Sequence, residues 1–376
     1  MDLNAYDYFL PKKNLALSPA NPRDSSKLFV YNTKTDEIFF DRFYNLDKYL
    51  PKNSFLVLNN TKVLPARVEM KKESGGKVIV LFLVNTPSVM VRQAHHDKSV
   101  IPTKVEGSKR MTILAMVDRK INVGGKLFFD DKNFVEILSQ KEHIFDLKFN
   151  FSRGKLFALL KKYGTMPVPL YLKKTPLNRD ELMEKYQTIF AKKEGSSAAP
   201  TASLHFTDRV FDKLEKKGIN KYFITLHVGL GTFAPLTDDN LKTKKLHEEY
   251  FEVDSNSLQC FKTLKSEGKK LVAVGTTVTR TLETLTNYSS SEVEKNSSRQ
   301  TRTITGKTDL FIFSPYDFKI VDILITNFHL PKSSLMMLVE AFLQYKGAKK
   351  SLVELYNIAI KNNFRFYSFG DAMIIL

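Results

Sequence analysis

The sequence changes its hydrophobic pattern twice, and this change limits the possible folds more than any other feature. Between residues 68 and 150, short strand candidates alternate with turn signals, and no helical pattern separates them. Evenly spaced strands of this kind are typical of a small β-barrel or sandwich. The strand candidates in this segment are 77–84, 111–117, 126–129, 135–138 and 144–149.

The flanking segments have a different pattern. Residues 27–31 and 55–58 are strand-like apolar runs, and from residue 151 strands alternate with amphipathic helices. This alternation predicts an α/β fold with a mixed, largely parallel sheet covered by helices. The predicted helices are 152–163, 178–193, 207–218 and 349–361, and the predicted strands are 222–228, 270–274, 310–313, 320–326, 364–369 and 373–376.

Strand signals on both sides of the β-only segment indicate that this segment is an insertion, because insertion between nearby chain ends is well tolerated. We therefore predict that residues 1–66 form the first part of the α/β domain and residues 67–150 an inserted small β-barrel domain. Residues 151–376 would form the main part of the α/β domain.

The composition indicates a cytoplasmic protein. A hydrophobic content of 43% is ordinary for a globular chain, and no apolar run approaches the roughly 20 residues that span a bilayer. The first residues lack the basic and apolar regions of a signal peptide. The single cysteine, Cys260, cannot form an internal disulfide, which fits a reducing compartment.

The charge balance favours a polyanionic partner such as nucleic acid. The chain has 58 basic and 40 acidic residues, a net charge of +18. Many of the lysines occur in pairs typical of solvated faces, and a lysine-rich proteome would give the same count. The net charge therefore fits either a polyanionic partner or a lysine-rich proteome.

Polar residues follow a predicted strand at 323–326 and precede an apolar helix at 335–342. In open α/β sheets, ligands bind beyond the carboxyl ends of strands, beside helix N-termini. Asn327 and His329 lie at that point and are candidate site residues. The alternative is that Asn327 makes a turn, Ser333 or Ser334 caps the helix, and His329 is a buried, satisfied histidine.

Three further polar loops have the same character. The loop 227–232 follows a strand, and its glycines permit close approach to a ligand. The loop 274–280 runs into a helix, so Thr276 and Thr277 place amides where a carboxylate is favoured. Arg280 in the first turns of that helix is expected to serve a carboxylate partner or ligand. The loop 195–207 consists of small residues, which indicates tight packing or room for a ligand.

Several nucleotide-binding and metal-binding motifs are only partly matched, because the surrounding sequence lacks the elements that such motifs require. Residues 229–234 match a dinucleotide-binding pattern, but Pro235 follows and no helix begins there. Residues 306–308 resemble the end of a P-loop without its leading glycine or strand. The seven histidines show no metal-ligand spacing, so a zinc site is not expected.

Long runs of residues, in a fixed order along the chain, resemble those of one enzyme family. The chain resembles the S-adenosylmethionine:tRNA ribosyltransferase-isomerases of queuosine biosynthesis. The matching strings are 60–67, 186–188, 198–202, 204–207, 227–233, 247–248, 273–277 with Arg280 and 282–283, 326–331, 365–366 with Ser368, and 370–373.

The resemblance implies the reaction. The ribosyl part of S-adenosylmethionine is transferred to 7-aminomethyl-7-deazaguanine at the wobble position of tRNA and isomerised to an epoxycyclopentanediol. The products are epoxyqueuosine, adenine and methionine. The family is thought to need no metal, so we expect no prosthetic group, with S-adenosylmethionine as a consumed co-substrate and tRNA as partner. A monomer and an α/β domain with an inserted barrel are also implied.

The chemistry suggests roles for the matched residues. A sulfonium acidifies the neighbouring C5′–H, so a positioned base, for which histidine is suited, can remove that proton. Departing adenine needs a proton donor, for which Asp371, Glu248 or a histidine is a candidate, and Thr276, Thr277 and Arg280 would hold the methionine carboxylate. The catalytic candidates are His329, His205, His227 and Asp371. The predicted substrate-binding residues are Thr61, Arg67, Thr201, Gly229, Gly231, Thr232, Glu248, Gly275, Thr276, Thr277, Arg280 and Asn327.

Two other functions remain as alternatives. An S-adenosylmethionine-dependent RNA methyltransferase would have a glycine-rich loop after the first strand of its α/β domain, and this loop is absent from the sequence. A non-catalytic RNA-binding protein of the same fold would lose the polar residues at its strand ends, yet these are the best-matched positions.

Overall fold

The computed structural model describes residues 2–84, 112–141, 144–229, 236–286 and 303–376. Within these residues the strands are β1 (Lys27–Asn32), β2 (Glu37–Arg42), β3 (Ser54–Asn59), β4 (Thr61–Val63), β5 (Arg67–Lys72), β6 (Lys77–Phe82), β7 (Thr112–Val117), β8 (Lys126–Phe128), β9 (Phe134–Lys141), β10 (Ile144–Phe149), β11 (Gly164–Thr165), β12 (Lys193–Ser196), β13 (Asn220–His227), β14 (Lys245–Asp254), β15 (Lys270–Val274), β16 (Thr303–Leu310), β17 (Ile323–Asn327) and β18 (Ala372–Ile375).

The α-helices in the same ranges are α1 (Leu46–Tyr49), α2 (Arg153–Tyr163), α3 (Arg179–Lys185), α4 (Asp208–Lys216), α5 (Asp238–Thr243), α6 (Ser255–Ser266), α7 (Thr276–Leu285), α8 (Ser334–Tyr345) and α9 (Leu352–Lys361). Short 3-10 helices occur at Leu3–Tyr6, Lys12–Asn14, Arg23–Ser25, Phe43–Asn45, Leu170–Lys174 and Thr201–Ser203. None of these helices is long and apolar enough to cross a membrane.

Nine strands form the larger sheet, in the order β16-β14-β13-β3-β15-β17-β18-β1-β2. The four central strands, β13, β3, β15 and β17, run parallel to one another, and β1 runs parallel to β18. The other four pairings are antiparallel. The predicted mixed sheet is confirmed, and its parallel character is concentrated in the centre.

Strand β3 shows why both faces of this sheet need cover. All six of its residues are buried. Phe55 and Val57 pack into one hydrophobic cluster, together with residues of α6, α7, α8 and α9. Leu56 and Leu58 pack into a second cluster on the other face, with residues of α4. An apolar run that is buried on both faces is typical of a parallel strand between helix layers.

Six antiparallel strands close the smaller sheet into a barrel. Their order is β5-β6-β7-β10-β9-β8, and a pairing between β5 and β8 closes the ring. Val68 and Met70 of β5 are buried while Glu69 between them is exposed, as alternation around a packed barrel requires. The predicted combination of an α/β sheet with a small β-barrel is confirmed. The division at residues 66 and 150 stays a prediction.

Some predicted elements were wrong in extent. The capping box of Asn178 and Glu181 begins a helix as expected, but α3 ends at Lys185. Beyond its C-cap, Tyr186, the side chain of Gln187 accepts from the backbone N–H of Val63 at 3.1 Å and donates to its carbonyl oxygen at 2.8 Å. Residues 311–313 and 364–369 form no strand, and β14 was not predicted.

The central strands end at a common edge of the sheet. The register pairs Ile224 of β13 with Asn59 of β3, and Val274 of β15 with Ile325 of β17. Strands β18 and β1 run in the opposite direction, so their first residues lie at the same edge, with Ala372 opposite Asn327. We call this the carboxyl edge of the sheet. It brings together the loops that the sequence singled out.

A candidate active site at the carboxyl edge of the sheet

His205 connects two strands at the carboxyl edge. Its Nδ1 lies 2.9 Å from Oγ of Ser26, which directly precedes β1. Its Nε2 lies 3.3 Å from Nδ2 of Asn327, the last residue of β17. Because an amide nitrogen can only donate, Nε2 accepts and Nδ1 carries the proton. Both ring nitrogens are therefore engaged, and His205 is better placed to orient Asn327 than to transfer a proton.

Asn327 offers an unused acceptor at this point. Its Nδ2 also lies 3.5 Å from the carbonyl oxygens of Tyr367 and Asp371, which fixes the orientation of the amide. Its Oδ1 is buried and has no hydrogen-bond partner among the described residues. A buried acceptor without a partner is costly. Asn327 is therefore suited to accept a hydrogen bond from a ligand.

His227 is the last residue of β13 and is 1% exposed. Its Nδ1 lies 2.9 Å from Oγ1 of Thr61, the first residue of β4. Its ring lies nearly parallel to that of Tyr250, with 6.3 Å between the centroids. Two residues that the sequence assigned to separate roles, Thr61 and His227, are therefore direct partners.

His329 lies two residues beyond β17 and is partly exposed to solvent. Its Nε2 lies 2.8 Å from Oγ1 of Thr326. Its backbone N–H donates to the hydroxyl of Tyr356 at 2.9 Å, and its carbonyl oxygen accepts from the hydroxyl of Tyr8. Nδ1 has no partner among the residues that the structure describes, so it is the ring nitrogen available to a ligand.

All three histidines are neutral near pH 7. Burial lowers the pKa of His205, His227 and His329 to about 3 in each case, because a charged ring is poorly solvated there. The nearby charges of Arg365 and Arg23 lower the pKa of His205 further, and Lys193 does the same for His227.

Asp371 lies beside this group but is fully engaged. It is 1% exposed and accepts hydrogen bonds from the backbone N–H groups of Lys27, at 3.0 Å, and Arg365, at 2.7 Å. Nη2 of Arg365 adds a third contact at 3.3 Å. The carboxylate thus holds the start of β1, and this geometry fits a structural role better than the predicted proton transfer.

Arg280 has the carboxylate partner that its position predicted, and this partner is Glu249. Nη1 of Arg280 lies 2.6 Å from Oε2 of Glu249, and both residues are buried. Oε1 of Glu249 accepts from the backbone N–H of Gly229 at 2.9 Å. Nε of Arg280 donates to the carbonyl of Leu310, while its buried Nη2 has no partner within the described ranges.

The N-terminus of α7 also lies at the carboxyl edge. Gly275 precedes the helix with φ 96°, and its N–H donates to the carbonyl of Ile325 at 2.7 Å. A Cβ on Gly275 would lie 3.6 Å from Cβ of Ala202, so the 3-10 helix that contains Thr201 packs against this turn. The first residues of α7 are Thr276, which is buried, and Thr277, which is partly exposed.

Two of the predicted residues that the structure describes, Glu248 and Arg67, are not connected to this group. Glu248 is exposed and pairs with Lys307 on the surface at 2.7 Å; the neighbouring Glu249 takes the buried position instead. Arg67 is the first residue of barrel strand β5. Gly231 and Thr232 lie outside the described residues.

Sequence reasoning missed several residues of this edge. Ser26 and Thr326 supply hydroxyl partners to histidines, and Tyr8 and Tyr356 hold the backbone of His329. Thr326 was detectable, because it stands three residues before His329 at the end of a strand. The described residues contain no group of three or more His, Cys, Asp or Glu side chains arranged to hold a metal ion.

Comparisons with known proteins give the family. A family model described as "Queuosine biosynthesis protein" matches residues 3–375. The S-adenosylmethionine:tRNA ribosyltransferase-isomerases of Sulfurihydrogenibium sp. and Halothermothrix orenii are each 41% identical to this chain, with 100% of both chains covered. The crystal structure of S-adenosylmethionine tRNA ribosyltransferase from Thermotoga maritima matches with 30% identity, 99% coverage of each chain and a TM-score of 0.51. The chain therefore belongs to the S-adenosylmethionine:tRNA ribosyltransferase-isomerase family of queuosine biosynthesis.

Proposed function

We propose that this enzyme transfers the ribosyl moiety of S-adenosylmethionine to 7-aminomethyl-7-deazaguanine at the tRNA wobble position and isomerises it. The products are epoxyqueuosine in tRNA, adenine and methionine. Family membership supports the reaction. The observation that supports its location is one sheet edge carrying three neutral histidines, each bonded to a hydroxyl group.

We assign the base to His329. The sulfonium acidifies the C5′–H of the ribosyl group, and Nδ1 of His329 is the ring nitrogen without a partner among the described residues. A neutral imidazole does not repel the cationic sulfonium. Burial lowers the pKa of His329 and makes it a weaker base than a free imidazole, so the acidity that the sulfonium gives to the C5′–H assists proton removal.

The same low pKa makes the protonated histidine a strong acid. After His329 has taken the C5′ proton, its imidazolium is poorly solvated. We propose that this imidazolium returns the proton to the departing adenine, which leaves with the electron pair of the breaking C1′–N bond, while the pair left at C5′ forms the carbon–carbon bond that closes the cyclopentane ring. This proposal needs no second acid, and it leaves Asp371 in its structural position.

The methionine carboxylate would bind at the N-terminus of α7. The first amides of a helix point outward and favour an anion, and α7 begins with Thr276 and Thr277 at the carboxyl edge. Arg280 is already neutralised by Glu249. We therefore propose that the backbone amides of Thr276 and Thr277 bind the methionine carboxylate. Arg280, which lies further along α7, would not bind it directly.

The net charge of +18 supports binding of tRNA through its phosphates. A wobble base is single-stranded in the anticodon loop and can be splayed out without breaking a duplex. We also propose that the enzyme acts in the cytoplasm, as a monomer and without a metal or prosthetic group.

Incubation with S-adenosylmethionine and tRNA that carries the deazaguanine precursor tests the function. Equal amounts of adenine and methionine are expected, and they should require the precursor base. Transcript tRNA with an unmodified guanine is the control. Formation of S-adenosylhomocysteine would instead identify a methyltransferase, and tRNA binding without turnover would identify a non-catalytic RNA-binding protein.

A further inference from the structure

The backbone of His329 is held on both sides by tyrosine hydroxyls. Its N–H donates to the hydroxyl of Tyr356, which is 0% exposed and belongs to α9. Its carbonyl oxygen accepts from the hydroxyl of Tyr8, which lies 321 residues away in the sequence. The side chain is held separately, by Thr326. Three contacts from three parts of the chain therefore fix one residue in a loop.

The two tyrosines are themselves held firmly. Their rings pack edge to face with 5.3 Å between the centroids, and Phe366 contacts both of them. Burial raises the pKa of Tyr8 and of Tyr356 well above the ordinary value, so both phenols stay protonated at physiological pH. The hydroxyl of Tyr8 therefore keeps the proton that it donates to the carbonyl oxygen of His329.

The N-terminal segment that carries Tyr8 is bound to the same loop at a second point. The backbone N–H of Lys332 donates to the carbonyl of Tyr6 at 3.0 Å. Nζ of Lys332 lies 2.9 Å from Oδ2 of Asp7 and 3.2 Å from Oδ1 of Asn4. The segment thus follows the loop beyond His329, and the contact with Tyr8 belongs to a wider docking of the N-terminal segment.

We propose that Tyr8 and Tyr356 are positioning residues that hold His329 in the geometry needed to remove the C5′ proton. The inference rests on the proposed role of His329 as the base. Neither tyrosine needs to touch the substrate, because each acts through the backbone of His329. A misplacement of a catalytic group by about 1 Å can lower a rate by about 100-fold, so loss of either hydroxyl should affect turnover more than binding.

Tyr8→Phe and Tyr356→Phe test this proposal, since each keeps the ring and removes one hydrogen bond. Adenine release would be measured at saturating S-adenosylmethionine and precursor tRNA and expressed per S-adenosylmethionine-binding site. This normalisation removes any loss that comes from unfolded protein. We expect kcat to fall by about 10- to 100-fold while KM for S-adenosylmethionine changes little.

Tyr31→Phe is the matched control. Tyr31 is also buried, and its hydroxyl donates to Oδ1 of Asp36 at 2.8 Å and accepts from the backbone N–H of Lys350. It lies near the end of β1, away from the carboxyl edge. This variant should lose stability and keep kcat per binding site. An equal loss of kcat in Tyr31→Phe would overturn the proposal, since the effect would then be general.

His329→Gln separates this inference from the proposed function. Slow turnover in His329→Gln with normal kcat in Tyr8→Phe and Tyr356→Phe would overturn the positioning role alone. Normal turnover in His329→Gln would contradict the base assignment, and the positioning role with it. If Tyr356→Phe does not fold, Tyr8→Phe decides the question, because Tyr8 comes from a short N-terminal segment rather than from a core helix.

Discussion

At the scale of single residues, the carboxyl edge is notable for histidines kept neutral by burial. His205 and His227 are 4% and 1% exposed, and each has a hydroxyl partner rather than a carboxylate. A carboxylate would favour the charged ring, whereas a hydroxyl accommodates the neutral form. Neutral rings suit a site that must admit the sulfonium of S-adenosylmethionine without repulsion.

The lowered pKa values of these histidines predict that the free energy of unfolding decreases in mild acid. The pKa of His205 and of His227 is about 3 in the folded protein, against about 6.5 in an unfolded chain. Between these values the unfolded chain binds protons that the folded protein does not, so the free energy of unfolding falls as pH falls. Each histidine contributes up to about 1.4 kcal/mol per pH unit. Urea unfolding at several pH values below 6.5 measures the slope.

The variant His205→Gln should make that slope shallower, because one of the three histidines with a lowered pKa is removed. His247→Gln, at an exposed histidine, is the matched control. An unchanged slope in His205→Gln would contradict the assignment of the pH dependence to this ring.

Asp371→Asn should reduce stability rather than catalysis. An amide keeps one acceptor oxygen and turns an NH2 group toward the N–H donors of Lys27 and Arg365. Leaving buried donors unpaired is expected to cost at least about 2 kcal/mol. Chemical unfolding measures the loss, and adenine release per S-adenosylmethionine-binding site should stay close to normal. A large loss of turnover in fully folded protein would restore Asp371 as a catalytic candidate.

At the scale of elements, a buried ion pair connects helix α7, strand β14 and the end of β13. Arg280 comes from α7, Glu249 from β14, and Gly229 follows β13. The pair therefore connects two sites: the N-terminus of α7, which we propose binds the methionine carboxylate, and the end of β13, which carries His227. These contacts connect two parts of the carboxyl edge.

Removing one partner of this ion pair should destabilise the protein strongly. Glu249→Gln leaves the buried guanidinium of Arg280 without its counter-charge, at an expected cost of about 3–5 kcal/mol. Arg280→Met in the same chain should recover part of that loss, because the uncompensated charge is removed. Thermal or urea unfolding of both single variants and the double variant measures the coupling. Simple additivity of the two single effects would contradict a direct pair.

Glu248→Gln is the neighbouring control. Its exposed carboxylate pairs with Lys307 on the surface, and surface ion pairs contribute about 0–1 kcal/mol. The contrast between two adjacent glutamates is what the alternation of β14 predicts.

At the scale of the whole molecule, the sequence predicts the order of strands and helices better than it predicts which side chains contact one another. Apolar runs gave the central strands, and parallel strands necessarily bring Asn59, His227, Val274 and Asn327 to one edge. The contact of Tyr8 with His329 spans 321 residues and has no local signal. The choice of Glu249 over Glu248 depends on which side chains of β14 face the core, and β14 was not predicted from the sequence.

The net charge of the molecule predicts a salt-dependent interaction with tRNA. With a net charge of +18, binding through phosphates should release counterions, and the apparent affinity for tRNA should fall by at least about tenfold between roughly 50 and 200 mM salt. The KM values for tRNA and for S-adenosylmethionine measured across this range test the expectation. The KM for S-adenosylmethionine should change far less. A KM for tRNA that does not change with salt concentration would contradict binding through phosphates.

The most direct test of a catalytic site at the carboxyl edge is adenine release by His329→Ala. The wild type and the variant would be compared at saturating S-adenosylmethionine and precursor tRNA, with unfolding curves to show that both are folded. Adenine release should fall to background in the variant while S-adenosylmethionine still binds. Near-normal turnover in folded His329→Ala would remove His329 from the reaction and contradict the site proposed for this enzyme.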